Sequence, residues 1–447
     1  MMRLAILSAV GLSLALGAAP LDAVFTTGTP WTLSQSAVAE LLPGVRLAQL
    51  ESGKSLLAHR QSLTLFGMPV HEWRAAFRGG RLCRMDVSFF NKGDDTSLVK
   101  PEEFNARVKR CVATLQKVAA APARKPVCVP AGTQVRYEVW EQTFTTPGGK
   151  YILSWAFRNP KRRAGRIEPF QAEFINASYQ PETAPPSASA KPSGELSLRQ
   201  NVAREPDGDV WIRAIPMVDQ GNKGYCAVST AERIFSYFRL EIDQHFFAML
   251  AETERGGGTS FGGISGALQS AGRKYELDVT ELVVPYRPNR DFLRTELGKI
   301  FSAYNRAVPR DRRLKLEDFT RIEGRTRVLD ILDLYAKYDP AILRKARTEA
   351  QSGAYTKFKN DIRRYVDAGI PLMWDCIVGL YPEVPALNMG GRPVGGHIRL
   401  IIGYNDRTGE ILYSDSWGAG HAKKRMTAAT AWAMTTGLCV AKPRSVR

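Results

Sequence analysis

Apolar and polar positions before residue 180 predict a small α+β domain. Apolar side chains recur at steps of three and four residues over 102–121, the spacing of one buried helix face. Runs at 73–77 and 82–90 alternate apolar with polar residues around a glycine pair, and runs at 137–145 and 151–157 do the same. The pattern therefore predicts one amphipathic helix and two β-hairpins.

The second half of the chain begins with helices and ends with antiparallel strands. The pattern predicts a helix over 225–240, a Gly-rich loop over 256–263, a short helix near 264–271, a long basic helical region over about 290–368, a buried strand over 372–380, and a hairpin of 397–404 with 410–415. Helices followed by antiparallel strands are typical of the α+β fold class.

Residues 181–200 separate the two halves. This segment is rich in Pro, Ser and Ala and has almost no bulky apolar side chain. Because it cannot bury enough apolar surface to offset its own ordering entropy, we expect a semi-extended linker. The predicted organisation is an N-terminal domain over 24–180, the linker over 181–200, and a C-terminal domain over 201–447 that carries the helical insertion at about 290–368.

Residues 1–23 predict export. Arg3 precedes an apolar run from Leu4 to Ala19, and small residues follow, which is the arrangement of a secretory signal peptide. We expect a secreted or periplasmic protein whose mature chain starts near residues 20–24. No later run reaches the roughly 18 apolar residues of a membrane-spanning helix, so no transmembrane segment is expected.

Export also permits disulfide bonds, and the chain has 6 cysteines. Cys83, Cys111 and Cys128 share the N-terminal half and are the candidates for one bridge. The pairing cannot be assigned from spacing alone.

The charge balance is strongly basic, with 62 Lys and Arg against 44 Asp and Glu and a net charge of +18. The excess is spread over both halves, and the chain has no basic tail or RNP-like motif, so no nucleic-acid partner is expected. Diffuse positive charge favours solubility or weak surface adhesion. The N-terminal domain has no constellation of reactive residues, and we expect it to contact a cell-surface or protein partner or to act as an inhibitory pro-region.

Cys226 opens the predicted helix over 225–240. Free backbone amides in the first helical turn and the positive end of the helix dipole favour a thiolate, whose pKa is otherwise about 8.5. Gly221 and Gly224 let the preceding backbone turn tightly, which would bring the side-chain amide of Gln220 beside the backbone N–H of Cys226. Two donors near one sulfur would form an oxyanion hole. Cys226 is therefore the predicted nucleophile.

A thiolate nucleophile needs a general acid, and His397 is the best placed of the 5 histidines. It opens the first strand of the predicted C-terminal hairpin. With the turn centred on Arg407, residue 399 lies opposite residue 415, which puts Asp415 on the face of His397. A slip of one residue would reverse this result. Asp415 would orient the imidazole and favour its charged form, whereas Arg399 is interpreted as a solvated strand residue.

These residues resemble the papain-like cysteine peptidases. The segment Gln220-Gly221-Asn222-Lys223-Gly224-Tyr225-Cys226 is similar to that family's oxyanion and nucleophile motif. His397 is followed by Ile401-Ile402-Gly403-Tyr404 as in the family's His strand, and Asp415-Ser416-Trp417-Gly418 resembles its Asn-Ser-Trp-Gly. Gly369-Ile370-Pro371 and Gly395-Gly396 are similar to the bacteriocin-leader-processing branch. The resemblance covers about residues 205–445.

The resemblance implies a papain-like C-terminal domain with a helical lobe, an antiparallel sheet lobe and defined site residues. Gln220 would be the oxyanion donor, Cys226 the nucleophile, His397 the acid and base, and Asp415 its orienter. Trp417 would shield the hydrogen bond between His397 and Asp415 from water. Gly262 and Gly263 resemble the glycine pair that binds the substrate backbone.

The sequence therefore predicts an exported cysteine peptidase that cleaves a peptide or protein substrate through an acyl-thioester intermediate, with no metal or cofactor. Two alternatives stay open. Transglutaminase-like acyl transferases also order Cys, His and Asp along the chain. A catalytically inactive papain-fold module for binding or adhesion would fit the basic charge.

Overall fold

The computed structural model describes residues 19–50, 55–95, 97–98, 100–129, 137–163, 166–182, 198–218, 226–240, 244–251, 259–285, 292–323, 326–387 and 391–444. Gln220, residues 183–197 of the predicted linker and residues 1–18 of the predicted signal peptide lie outside these ranges.

The N-terminal half is built on a mostly antiparallel sheet. Its strands are β1 (Ala19–Pro20), β2 (Ala48–Leu50), β3 (Ser55–Leu65), β4 (Met68–Arg78), β5 (Arg81–Asn91), β6 (Val127–Val129), β7 (Glu138–Thr146), β8 (Gly149–Arg158), β9 (Lys161–Arg163), β10 (Arg166–Glu168) and β11 (Gln171–Gln180). Its helices are α1 (Asp22–Thr26), α2 (Gln35–Leu41) and α3 (Pro101–Val118). The main sheet has the order β1-β3-β4-β5-β11-β8-β7-β6, with β2 beside β3.

The predicted helix and the two predicted hairpins of this half are confirmed. Gly79 and Gly80 join β4 to β5 with φ of 60° and 75°, because a two-residue turn that matches the strand twist needs the left-handed conformation. Pro101 occupies the first turn of α3, where its missing N–H costs no hydrogen bond. The helix packs against the sheet through its apolar face, which consists of Phe104, Val108, Cys111 and Leu115.

The end of the predicted signal peptide at residue 23 overlaps this packed core. Leu21 and Val24 are fully buried, and Asp22 accepts a hydrogen bond from the backbone N–H of Phe66 at 3.1 Å. Cleavage after residue 23 would remove Leu21 and Asp22 from these contacts. A cleavage point ahead of Leu21 preserves them.

The C-terminal half combines a second sheet with helices. Its strands are β12 (Val202–Arg204), β13 (Asp209–Ile212), β14 (Leu277–Val283), β15 (Thr320–Glu323), β16 (Thr326–Leu329), β17 (Leu372–Val378), β18 (Gly395–Asn405), β19 (Glu410–Ser414), β20 (Lys424–Thr427) and β21 (Thr435–Pro443). Its helices are α4 (Cys226–Tyr237), α5 (Gln244–Leu250), α6 (Phe261–Tyr275), α7 (Glu296–Ala307), α8 (Ile331–Ala336), α9 (Pro340–Ala350), α10 (Ser352–Asp367) and α11 (Ala428–Met434).

The sheet of this half has the order β12-β13-β18-β17-β21-β14, with β19 between β18 and β20. The α+β fold class is therefore confirmed. In the C-terminal hairpin Leu400 lies opposite Ser414, and a bulge shifts the register between Ile401 and Gly403. Residue 415 follows β19 directly, next to residue 399 as the turn argument predicts.

Two predicted elements of this half were wrong in part. The region over 290–368 was predicted to be helical throughout, but β15 and β16 form an antiparallel hairpin inside it. The short helix near 264–271 is longer than predicted, because α6 begins at Phe261 and takes in Gly262 and Gly263. Ser260 caps this helix by accepting the N–H of Gly263 at 3.1 Å, so the capping residue sets the start.

The two halves share buried contacts. Tyr137, Val139, Ala156 and Phe174 of the N-terminal half belong to the same apolar core as α4 and α5. Arg74 of β4 ion-pairs with Glu232 of α4 at 2.5 Å, and the Glu232 side chain is only 3% exposed. The helix that starts at Cys226 therefore rests partly on the N-terminal half.

All six cysteines are free thiols. The predicted bridge among Cys83, Cys111 and Cys128 was wrong: Cys111 is buried on α3, whereas Cys128 is exposed on the edge strand β6. In the described part of the chain, the helices are too short or too polar to cross a membrane.

Candidate active site

Cys226 is the first residue of α4, and two hydrogen bonds fix this helix, one to the sheet and one to the segment that follows β13. The hydroxyl of Thr230 donates to the backbone carbonyl of Ile398 in β18 at 3.1 Å. Arg233 donates through Nε to the carbonyl of Pro216 at 2.7 Å. Because the apolar residues of α4 face the core, its N-terminal end is held beside the start of β18.

His397 lies at the start of β18, next to Cys226. Its ring is buried, and Nε2 is 2.8 Å from Oδ1 of Asp415. The imidazole also forms a hydrogen bond with the thiol of Cys226. Since Nε2 faces the carboxylate, Nδ1 is the nitrogen left for the sulfur. The structure thus brings together three predicted residues that are far apart in sequence.

The surroundings of Cys226 favour a thiolate. Burial alone would raise the pKa of the thiol, but the hydrogen bond and charge of His397 and the backbone amides of Ile398 and Ala227 outweigh it, so the pKa lies below its usual value. The Ala227 amide belongs to the first turn of α4, as the helix-start argument predicts. The residue is half-buried and so open to a ligand.

The surroundings of the partner histidine favour its charged form. Burial lowers the pKa of His397, yet the hydrogen bonds to Asp415 and Cys226 and the negative charge of both groups raise it above the ordinary value. A lowered thiol pKa beside a raised imidazole pKa favours a thiolate and imidazolium pair, which titrates as one unit.

Trp417 covers the imidazole. Its ring stacks on His397 with a centroid distance of 4.1 Å and an interplanar angle of 4°. His421 packs against Trp417 edge-on, with ring centroids 5.8 Å apart. The indole therefore lies where the resemblance predicted a shield for the hydrogen bond between His397 and Asp415.

Asp415 is held by a residue that the sequence argument assigned wrongly. Arg399 was interpreted as a solvated strand residue, but its side chain is fully buried and its Nε lies 2.9 Å from Oδ1 of Asp415. Burial raises the pKa of Asp415, and the charge of Arg399 and the hydrogen bond from His397 more than reverse this, so the carboxyl stays ionised. One signal was available: a charged residue inside the apolar run Ile398 to Ile402 requires a buried partner.

Of the remaining predicted site residues, the structure describes Gly262 and Gly263. Gln220 lies outside the described residues. Gly262 and Gly263 lie in the first turn of α6, where a Cβ on Gly263 would come within 2.6 Å of the backbone oxygen of Ala251. Close packing of α6 on the end of α5 therefore explains Gly263, whereas Gly262 is exposed. Their predicted role in substrate binding stays a prediction.

One acidic cluster in the described ranges is tight enough to share a cation, and it consists of Glu205, Asp207 and Asp209. Lys423 and Arg425 each lie 2.9 Å from Asp209, so protein cations already neutralise its most buried member. The cluster fits a surface ion-pair network better than a metal site.

A thiol at a helix start, paired with a histidine that a carboxylate orients, is the arrangement of a papain-like cysteine peptidase. Residues 325–440 match the family model described as the Peptidase_C39 like family, which confirms the resemblance and suggests cysteine peptidase activity. The matched segment contains His397 and Asp415, and Cys226 precedes it. No curated protein matches the chain.

Proposed function

We propose that this protein is an exported cysteine peptidase with Cys226 as nucleophile, His397 as acid and base, and Asp415 as the residue that orients His397. The observation that carries the proposal is the meeting of these three side chains at the junction of α4 and β18. Cys226 is half-buried, whereas His397 and Asp415 are buried behind it, so a substrate would meet the sulfur first.

Hydrolysis follows from these positions. The thiolate attacks the peptide carbonyl, and the backbone N–H of Cys226 together with Gln220 stabilises the oxyanion. The imidazolium gives its proton to the leaving amine as the C–N bond breaks, which leaves an acyl thioester on Cys226. His397 then takes a proton from water, the hydroxide attacks the thioester, and the thiolate is released.

The organisation into an N-terminal domain over 24–180 and a peptidase domain over 201–447 forms part of the proposal. Two contacts join the halves: the ion pair of Arg74 with Glu232 and the apolar core that both halves share. These contacts favour an N-terminal domain that stays attached and holds the peptidase domain in place over a pro-region that is removed. A cell-surface or protein partner would then contact the N-terminal domain from its outer surface.

Alkylation tests the proposal directly. Iodoacetamide at pH 6 should modify Cys226 far faster than the other cysteines, and cleavage of a casein substrate should disappear in step with that modification. Cys226→Ala should abolish cleavage, whereas Cys128→Ser, which changes an exposed thiol away from the site, should leave it unchanged. Cleavage that survives in Cys226→Ala would refute the proposal.

The same preparation separates the alternatives. Incorporation of a labelled primary amine into casein with no new peptide termini would identify an acyl transferase. Rapid modification of Cys226 with neither cleavage nor amine incorporation would indicate a binding module that keeps the reactive thiol but has no enzymatic activity.

A further inference from the structure

We propose that Arg399 is a positioning residue whose positive charge reduces, without removing, the influence of the negative charge of Asp415 on His397. The inference rests on the proposed function, because it concerns the same site. It assigns a role to three buried charged residues, Arg399, Glu383 and Lys424, that neither the sequence argument nor the family match identifies.

These residues form a closed ring of alternating charge with Asp415. Arg399 lies 2.9 Å from Asp415 and 3.0 Å from Glu383. Lys424 closes the ring, at 2.9 Å from Glu383 and 3.6 Å from the second oxygen of Asp415. None of the four side chains is more than 1% exposed. We call this group the charge ring.

The charge ring is balanced, with two cations and two anions. Isolated charges are very costly to bury, so each member depends on the others to remain ionised. The rings of Trp374 and Tyr413 flank the guanidinium of Arg399, at 5.7 Å and 4.9 Å. Tyr413 also donates a hydrogen bond to Glu383 at 2.7 Å. Water is therefore replaced by fixed partners on several sides.

The charge balance of the ring affects His397 because one oxygen of Asp415 contacts both His397 and Arg399. Oδ1 of Asp415 contacts Nε2 of His397 at 2.8 Å and Nε of Arg399 at 2.9 Å. The two nitrogens are therefore at most about 6 Å apart, a distance at which a buried charge shifts a neighbouring titration strongly. Asp415 stabilises the imidazolium, and the more distant Arg399 opposes it, so Arg399 offsets part of the effect of Asp415.

The other titratable and charged groups near the imidazole of His397 are the same in wild type and in the variants of Arg399 and Asp415 compared below. In the described part of the chain, the titratable and charged side chains that face His397 or its carboxylate from neighbouring elements are Cys226 and Arg233 on α4, Asp375 and Cys376 on β17, Glu383 after β17, Tyr413 on β19, His421 after β19 and Lys424 on β20. Substitution of Arg399 or Asp415 leaves these groups in place and changes the charge balance of the ring.

The decisive experiment measures the rate of Cys226 alkylation by iodoacetamide against pH in four proteins. Arg399→Met leaves the ring with one excess negative charge. The midpoint of the curve of Cys226 alkylation rate against pH should therefore move up by about one pH unit. Asp415→Asn keeps the acceptor oxygen but leaves one excess positive charge, and should move the midpoint down by a similar amount. The double variant restores balance and should return it close to the original value.

Further variants keep the test informative if Arg399→Met does not fold. Lys424→Met removes the other cation of the ring and should shift the midpoint up by a smaller amount, because its nitrogen is farther from Asp415. Arg399→Lys keeps the charge and should leave the midpoint in place. Arg347→Met is the matched control: Arg347 is fully buried outside the ring, so its loss should lower stability without shifting the midpoint.

Shifts in the same direction for the two single variants, or no return in the double variant, would overturn the inference and leave Arg399 with a packing role. Because alkylation reports thiolate formation and not cleavage, this result is independent of the casein assay. A protein that shows the expected shifts but cleaves nothing would refute the proposed function and retain the inference.

Discussion

The half-buried Arg74 of β4 and the buried Glu232 of α4 form an ion pair that ties the N-terminal sheet to the helix bearing Cys226. Glu232 lies on the same helix as the candidate nucleophile, and the apolar core continues across the contact through Phe174 and its neighbours. The N-terminal half thus fixes the helix from one side while β18 fixes it from the other. Loss of this ion pair should therefore shift α4 and, with it, Cys226.

Arg74→Met should destabilise the protein by about 3 kcal/mol, because it removes the guanidinium from a carboxylate that stays buried. The free energy of unfolding in urea measures this loss. The double variant Arg74→Met, Glu232→Met should recover part of the stability. Arg204→Met is the matched control, since it breaks an exposed ion pair with Asp367 and should cost less than about 1 kcal/mol. If Arg74→Met and Arg204→Met lowered the free energy of unfolding by the same amount, the ion pair of Arg74 with Glu232 would have no special structural role.

His397→Gln should slow alkylation of Cys226 at pH 6 by about a hundredfold. Loss of the hydrogen bond and charge of His397 leaves burial as the main influence on the thiol, which raises its pKa. Mass spectrometry of the labelled peptide measures the rate. The exposed Cys128 serves as an internal reference whose labelling should not change. Unchanged labelling of Cys226 would show that His397 does not activate it.

Trp417→Ala should lower kcat/KM for peptide cleavage by roughly tenfold, because the imidazolium loses both a stacked ring and a barrier to water. Trp417→Phe keeps an aromatic face and should retain most of the activity. Steady-state kinetics over a range of pH tests this, and unfolding in urea checks that both variants are equally folded. A Phe variant as impaired as the Ala variant would count against stacking as the cause.

Asp375→Asn should stabilise the protein at pH 7 by about 3 kcal/mol and have little effect at pH 4. Burial raises the pKa of Asp375 from 3.8 to about 6, against the hydrogen bond from Thr436 and the charge of His397, which lower it. The folded state therefore binds a proton that the unfolded state releases between these values. Wild-type stability accordingly falls as pH rises from about 4 to 6.

Unfolding midpoints of wild type and Asp375→Asn at pH 4, 5, 6 and 7 measure this difference. The gap between the two proteins should open across that interval and stay constant above it. A gap of the same size at pH 4 would mean that Asp375 affects stability by packing and not by titration.

The local elements of the fold could be predicted from sequence because periodicity and turn residues act over short distances. The hairpin through Gly79 and Gly80 and the helix α3 were predicted close to their observed ends. The start of α6 was placed too late, since capping by Ser260 outweighed the glycines. The bulge after Ile401 left no signal in the sequence, yet it shifts the pairing by one residue and so produces the expected alignment, with Leu400 opposite Ser414.

The candidate site shows the same division. The sequence by itself determined which residues are the candidates for the chemistry, because Cys226, His397 and Asp415 each lie in a short motif with its own local geometry. It did not determine that Arg399 is buried or that Glu383 and Lys424 complete the charge ring. Those facts depend on which strands become neighbours. The cost of burying a charge is settled only when partners from distant segments meet in the folded chain.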